Sequence, residues 1–293
     1  MLNLAWVRTF VTLAQQRSFQ AAAEQLKISQ PTVSQHIQKL EEQLGILLVH
    51  RARMGCAPTR EAMAFLAYAQ SLLCLNDRAL AAVKGEHLRI GAGSNIGIYL
   101  LTPYVQSFLE TWDRRAFDLV IDRNPTIAER LEIGELDVAV MEWWAPRPGF
   151  EARLWRSEPV VVIVPPAHPL ASCAQLSRKD LAGLEFLGGE PGTGTGRLLD
   201  RYLGAGAALP QVSLQLGSTE AVKRAVMTGL GISLVLAAAV VDEVQNGSLC
   251  AIPLLDPPLR KDLFVIWRDR EVRHLPPPAF VRHLLADSPS QKR

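Results

Sequence analysis

Between Ser18 and Leu44 the chain reads SFQAAAEQLKISQPTVSQHIQKLEEQL, and the spacing of its apolar residues leaves little choice of local structure. Val33, Ile37, Leu40 and Leu44 recur at intervals of four, three and four, which places them on one face of a 3.6-residue helix. The opposite side carries Pro31, Gln35, Gln38 and Lys39, flanked by Thr32 and Ser34. Ser29 stands where an N-cap is needed, and Pro31 falls just inside the helix start, where its missing N–H costs nothing; the helix therefore begins near Gln30. A preceding helix from about Ser18 to Leu26 would pack Phe19, Ala22, Ala23 and Leu26 behind it. Two short helices joined by a tight turn, the second with a polar outward face, are the sequence form of a helix-turn-helix and point to DNA.

Charge and the next segment agree. Residues 1–60 hold seven Lys or Arg (Arg8, Arg17, Lys27, Lys39, Arg51, Arg53, Arg60) against three acids (Glu24, Glu41, Glu42). The whole chain carries only +2, so the basic excess is concentrated where the helix pair lies. Ile46–Arg51 followed by Met54–Thr59 reads as a short two-stranded wing that would carry Arg51 and Arg53 toward a phosphate backbone. Such contacts give affinity without sequence preference, and each neutralised phosphate adds about 0.9 to the salt slope.

On these residues the chain resembles the LysR-type transcriptional regulators. The resemblance is carried by AAAEQLKISQPTVSQHIQKLEEQLG (Ala21–Gly45), by the wing LLVHRARMGCAPT, and by the layout of the remainder, so it spans essentially all 293 residues. One departure follows the wing. The family usually has LT, a small residue and Gly there, whereas this chain has Pro58, Thr59, Arg60, Glu61 and Ala62.

From Ala62 to Lys84 there is neither Pro nor Gly, and Leu66, Ala69, Leu73, Asn76, Leu80 and Val83 repeat at 3-4-3-4-3. That is a coiled-coil seam, and it calls for a partner helix, with Asn76 setting register. These residues would span about 35 Å. Beyond Gly85 strands and helices alternate. Strand-like runs are 87–90, 117–121, 137–141, 159–164, 211–216, 232–236, 249–254 and 263–267. Two crossing stretches, near 153–165 and 258–270, fit two similar lobes with a cleft between them. The resemblance implies a periplasmic-binding-protein-like effector domain in which the chain enters the second lobe and returns, ending on a helix at Pro278–Ala286.

Three loops share a chemistry. Ser94 and Asn95, Thr193–Gly196, and Ser218 and Thr219 each follow a strand and open a helix, offering hydroxyls and N–H groups to an anion. In proteins the chain resembles, the effector lies between the lobes. Carried over by motif, that implies Gly93, Ser94, Asn95, Thr195 and Ser218 as contacts, with Met141 and Glu142 as walls. An acid at Glu142 would disfavour a highly charged anion, and the indoles of Trp143 and Trp144 could stack on an organic ligand.

Other chemistries find less support. HLRIGAGSNIG begins like a dinucleotide fingerprint, with Asp122 placed as a ribose acid, but the position that needs Gly or Ala is Ile96. GGEPGTGTGRLLDRYL lacks the GK[ST] ending of a phosphate-binding loop. Arg197, Lys223 and Arg224 fall near the second-lobe loops, where residues of this kind more often sit on solvated helix faces. The six histidines form no close metal pair, no GxSxG occurs, and Cys56, Cys74, Cys173 and Cys250 show no CxxC spacing, which suits free thiols in a reducing cytoplasm. MLNLAWVRTFVTL lacks the charged start and cleavage site of a signal peptide, and no 18-residue apolar run occurs, so no membrane partner is expected.

The expectation is an α+β multidomain chain: an N-terminal winged helix-turn-helix (1–60), a linker and dimerisation helix (61–85), and a C-terminal two-lobed effector domain (86–293). Lobe one takes 86–160 and 268–293, and lobe two takes 161–267. Its function would be sequence-specific transcriptional regulation of a double-stranded DNA operator, tuned by a small anion or carboxylate in the cleft, without enzymatic activity or cofactor. Gln35 and Gln38 would read bases, since Gln pairs bidentately with adenine, and Thr32 and Ser34 come next. Ser29, Arg51, Arg53 and Lys39 would hold phosphates, with Gln30 and Pro31 at the helix start. The resemblance further implies a homotetramer built as a dimer of dimers, a bent two-part operator and an RNA polymerase partner. The alternative is a nucleotide-cofactor enzyme or solute-binding protein with a fused helical head.

Overall fold

The computed structural model describes residues 1–52, 55–82, 87–181, 184–188, 194–203, 211–255, 258–269 and 277–286. They form two compact units, Met1–Arg89 with Glu129–Leu136, and Ile90–Ala128 with Asp137–Arg293. Among the described residues no helix is long and apolar enough to cross a membrane.

The first unit opens with three helices, α1 (Leu4–Gln16), α2 (Phe19–Leu26) and α3 (Gln30–Leu44). Each starts on a side-chain cap, from Asn3, Ser18 and Ser29, and each stops on a left-handed residue, Arg17, Lys27 and Gly45. Val7, Phe10 and Leu13 of α1, Ala22 and Ala23 of α2, and Val33, Ile37 and Leu40 of α3 meet in one buried core, with Leu44 partly buried at its edge. The strands β1 (Val49–Ala52) and β2 (Gly55–Pro58) pair antiparallel as the wing. At its turn Gly55 has φ +97°, and a Cβ there would overlap the Arg17 carbonyl, while Cys56 N–H donates to that carbonyl at 2.9 Å. Only glycine lets the wing close onto the end of α1.

The residues that depart from the family pattern build the next helix. Thr59 Oγ1 donates to Leu47 O at 2.7 Å and accepts from Ala62 N–H at 3.1 Å, capping α4 (Arg60–Ala82). The seam expected to face a partner helix is corrected here. Ala69 and Leu73 are buried in the head's own core, with Leu66 packed against it. Asn76 bonds its neighbour Asp77, Leu80 is exposed, and Val83 lies outside the described residues. A second apolar stripe, Tyr68, Leu72 and Leu75, runs along α4 at spacings of four and three and is exposed. The helix is apolar on two sides, and α1 takes the one that periodicity assigned to a partner.

In the second unit, β3 (Leu88–Gly93), α5 (Ser94–Tyr99), α6 (Thr102–Leu109), β4 (Phe117–Asp122), α7 (Asn124–Glu132), β5 (Val138–Met141) and β6 (Phe150–Val164) follow in order. Then come β7 (Glu185–Leu187), α8 (Gly194–Leu203), β8 (Gln211–Leu214), α9 (Thr219–Met227), β9 (Ser233–Leu236), α10 (Val241–Gln245), β10 (Cys250–Pro253), β11 (Arg260–Arg268) and α11 (Ala279–Ala286). The main sheet runs β10-β6-β11-β5-β3-β4, and β9 also pairs with β6. β3 and β5 are parallel and wholly apolar at their centres, as strands covered on both faces are.

β6 belongs to both lobes. Residues 150–159 pair with β11, whereas Val160–Val164 run between β9 and β10. β11 is the return strand, with a bulge between Leu263 and Phe264. Each of the eight runs read as strands carries one, but β7 and the first half of β6 were not among them. The first half of β6 includes Glu151, Arg153 and Glu158, and a strand so charged lacks the expected alternation. In lobe one, Phe280 of α11 meets Phe108 of α6 and Phe117 of β4 edge to face, and the latter two rings are tilted against each other. In lobe two, Val161, Ile163, Leu187, Val222, Val226 and Val235 form a separate buried cluster.

Candidate functional site

The outer face of α3 is a row of polar side chains on a rigid apolar back. Gln30, Pro31, Ser34, Gln35, Gln38 and Lys39 are exposed, whereas Val33 and Leu40 on the inner side of the helix are fully buried. Ser29 Oγ caps Thr32 N–H at 3.3 Å and shares a hydrogen bond of 2.8 Å with the Thr32 hydroxyl. Gln38 Nε2 donates to Glu42 at 3.0 Å, and the Lys39 ammonium lies 5.6 Å from the centre of the Trp6 ring. These are surface contacts that a stronger partner can replace. The side chain of Arg51 and all of Arg53 lie outside the described residues.

Two residues missed by periodicity hold this surface in place. Glu41 Oε1 accepts from Leu48 N–H at 2.7 Å and so ties the end of α3 to the wing. Thr9, buried on α1, donates its hydroxyl proton to Ala5 O and lies 2.8 Å from His36 Nδ1.

The second site is a cavity of about 710 Å³ between the lobes of the second unit. From lobe one Ser94, Asn95, Ile98, Tyr99, Arg123, Asn124, Glu142 and Trp143 line it, and from lobe two Thr195, Gln215, Ser218 and Thr219 do so. The lobes are already bonded across it. Thr219 donates its hydroxyl to Asn95 Oδ1 at 2.7 Å, and Tyr99 donates to Glu220 at 2.6 Å. Asn95 Nδ2 donates to Glu142 Oε1 at 2.9 Å, and Lys261 on β11 donates to Glu142 Oε2 at 2.9 Å.

Lys223 overturns the expectation of a solvated face. It is 4% exposed and directs its ammonium to Glu220 at 2.6 Å, Glu243 at 2.8 Å and Ala239 O at 2.9 Å, which accounts for all three protons. Burial works against that charge, but the bonds to Glu220 and Glu243 outweigh it and raise the lysine pKa. The hydrogen bonds from Lys223 and then Tyr99 lower Glu220, while burial and the Glu220 contact raise the Tyr99 phenol.

Of the effector residues expected from sequence, Ser94, Asn95, Glu142, Thr195 and Ser218 line this cavity together. Met141 does not. It is 1% exposed at the end of β5, a strand covered on both faces, and the cavity lining begins with the next residue, Glu142. Gly93 is buried behind the cavity, where a Cβ would overlap Asn124 Oδ1. Thr193 lies outside the described residues. The indole pair divides: Trp143 stays in the cleft with the Arg197 guanidinium 4.3 Å from its ring centre, while Trp144 packs on Phe150. Thr219, expected in the third loop, lines the cavity too, whereas Tyr99, Glu220 and Lys261 were not anticipated. Tyr99 stands one helical turn beyond Asn95 on α5, a spacing that could have flagged it.

Two decoys are resolved by packing. Gly97 lets α5 sit on β4, since a Cβ there would lie 2.6 Å from Ile121, and Ile96 is fully buried. Asp122 accepts from the N–H of Arg123 at 2.6 Å. Among the described residues no group of three His, Cys, Asp or Glu could hold a metal ion. All four cysteines are free, and burial raises Cys56 and Cys74 above the ordinary thiol range.

Comparison with known proteins covers both units. The family described as "LysR substrate binding domain" matches residues 81–288, and "Bacterial regulatory helix-turn-helix protein, lysR family" matches residues 4–63. The putative HTH-type transcriptional regulator protein PtxE of Stutzerimonas stutzeri is 53% identical over 196 residues, 67% of this chain and 100% of that protein. The HTH-type transcriptional regulator CbbR of Rhizobium meliloti is 32% identical over 290 residues, 96% of this chain and 91% of that one. A full-length OxyR variant from Pseudomonas aeruginosa superposes with a TM-score of 0.70 at 25% identity, covering 98% of this chain and 94% of its own. CbnR, a LysR family transcriptional regulator at 21% identity, shares the fold with a TM-score of 0.70 over 98% of this chain and 99% of its own.

Proposed function

Since the chain belongs to the LysR family, and is thus a DNA-binding transcriptional regulator with an effector-binding domain rather than an enzyme, we propose that α3 reads the operator and that the cleft of the second unit senses the effector. LysR regulators bind DNA operators and oligomerise. The head spans 1–60, the linker 61–85 and the effector domain 86–293, the lobes being divided at 160 and 268.

The observation that carries the DNA assignment is the exposed polar face of α3 standing on a fully buried apolar one. In this reading α3 enters the major groove. Gln35 and Gln38 meet base edges, Thr32 and Ser34 assist, and Ser29, Gln30, Pro31, Lys39, Arg51 and Arg53 lie along the phosphates. A second copy pairs through the exposed stripe Tyr68, Leu72 and Leu75, and two such dimers form the assembly that bends a two-part operator. CbnR, which shares the fold, has been solved complexed with its target DNA, and that supports DNA contact by this head. RNA polymerase is the partner that reads the resulting geometry, and the cytoplasm is the compartment.

The effector is a small organic anion or carboxylate. Hydroxyls of Ser94, Thr195 and Ser218, the Arg123 side chain and the Trp143 face offer it contacts. It shifts the regulator only by its differential affinity for two arrangements, typically about 1–3 kcal/mol.

Operator titrations at several salt concentrations test the head. Gln35→Ala changes base preference at one position, whereas Arg51→Ala weakens binding to all sequences and lowers the salt slope by about 0.9. Unchanged affinity and slope in both variants would refute the assignment. For the cleft, Ser94→Ala and Thr195→Val abolish the effector response in an operator-binding assay while basal operator affinity persists.

A further inference from the structure

Two buried lysines stand behind the lining of the cleft, and the protein's own carboxylates neutralise both. Lys261 is the instructive one. Its side chain is 6% exposed and meets that of Glu142, 8% exposed, at 2.9 Å. Asn95 covers the other carboxylate oxygen, and Thr219 from the opposite lobe holds Asn95 in turn. Gly194, the first residue of α8, closes on the same group: a Cβ there would overlap Glu142 Oε2 and lie 3.5 Å from the Lys261 ammonium. A buried ammonium, an amide donor beside it and a helix start against it are the groups that take an anion from solution. Here a side chain fills that place.

We infer that Glu142 sets the charge of the ligand the cleft accepts, by occupying the anion position on Lys261 from within the protein. The ligand then carries one negative group, received at Ser94, Thr195 and Arg123. A second would lie against Glu142 or Glu220, with Lys261 and Lys223 already paired. The cleft therefore takes a small organic monoanion and rejects dianions. This rests on the cleft being the effector site, and Glu142 acts as a specificity determinant of that site.

The test uses the full-length protein and inorganic sulfate as a dianionic probe, with chloride at matched ionic strength as control. Glu142→Gln keeps an acceptor for Asn95 but strips the counterion from a buried ammonium, so sulfate should bind it about tenfold more tightly than the parent or better, read by calorimetry and by the rise in Tm. The double variant Glu142→Gln/Lys261→Met should lose the gain. Equal sulfate affinity in parent and Glu142→Gln overturns the inference, as does a gain that survives in the double variant. If Glu142→Gln folds poorly, rescue by sulfate but not chloride, absent from the double variant, counts in favour; failure to fold in either salt counts against. Operator affinity measured on the same samples separates the two readings. A sulfate gain with operator affinity unmoved upholds the charge assignment and removes the cleft as effector site.

Discussion

The reading face of α3 and the cleft of the second unit are both polar surfaces, yet they are built in opposite ways. On α3, Gln35 and Ser34 are exposed, Gln38 is held only by Glu42, and rigidity comes from Val33, Ile37 and Leu40 behind them. In and behind the wall of the cleft, Thr219, Asn95, Glu142 and Lys261 form one bonded group and Tyr99, Glu220 and Lys223 another, with three of the five contacts at 2.7 Å or less. The first surface keeps its hydrogen-bonding capacity for a partner, which has only water to displace. The second is satisfied before any ligand arrives, so a ligand gains only what it exchanges. That difference suits a broad, strong contact with DNA and a selective, weaker response to a small molecule.

The contrast is sharpest where charge is buried. Lys261→Met leaves Glu142 without its counterion and should cost about 3–5 kcal/mol, seen as a drop in the denaturant midpoint of the second unit. A loss comparable to a surface substitution would mean that water, not Lys261, balances the carboxylate. Next in size is the cap beneath the reading face: Ser29→Ala should cost about 1 kcal/mol in the melt of the head, because Thr32 N–H loses its acceptor. Tyr99→Phe removes a partly exposed bond to Glu220 and should cost at most about 1 kcal/mol. At the other end, Gln38→Ala should leave stability within about 0.5 kcal/mol of the parent while still altering operator preference. If Gln38→Ala destabilised the head as much as Ser29→Ala, the two surfaces would not differ as described.

The same network sets a pH dependence. Glu220 titrates below the ordinary carboxylate range in the folded chain, so its contribution is present above that range and is lost as pH falls through the lowered value. Lys223 is raised, so its contribution persists through neutral pH and is lost only as pH rises beyond the ordinary lysine range. Tm measured from neutral pH downward should therefore fall less steeply in Glu220→Gln than in the parent. Because the Glu220 side chain is half exposed, the effect is a small one.

Much of the head was legible because local rules decide it: a cap at Ser29, a proline at the second helical position, and an apolar row at 33, 37 and 40. The buried strands were legible for a similar reason, since continuous apolar runs such as Val138–Met141 have few other uses. What escaped depended on distance along the chain. Glu142 and Lys261 are 119 residues apart, and Tyr99 and Glu220 are 121 apart, so no periodicity links them. α4 escaped differently. With Ala62, Ala69 and Leu73 on one side and Tyr68, Leu72 and Leu75 on another, both stripes keep a helical period, and only the presence of α1 decides which is covered.

The shared strand has one more consequence, for the separability of the lobes. Lobe two is carried on a continuation of β6 and returns on β11, and among the described residues these two strands make the longest ladder in the sheet, from Phe150 against Arg268 to Pro159 against Arg260. Neither lobe owns a complete set of strands. A fragment cut at residue 160 would expose the edge that Val160–Val164 need in order to pair with β9 and β10, and the excised lobe would lack the stem on which it is mounted. The two lobes are thus one cooperative folding unit with a waist, and gene fusions or circular permutations that respect it must enter through surface turns and leave both strands whole.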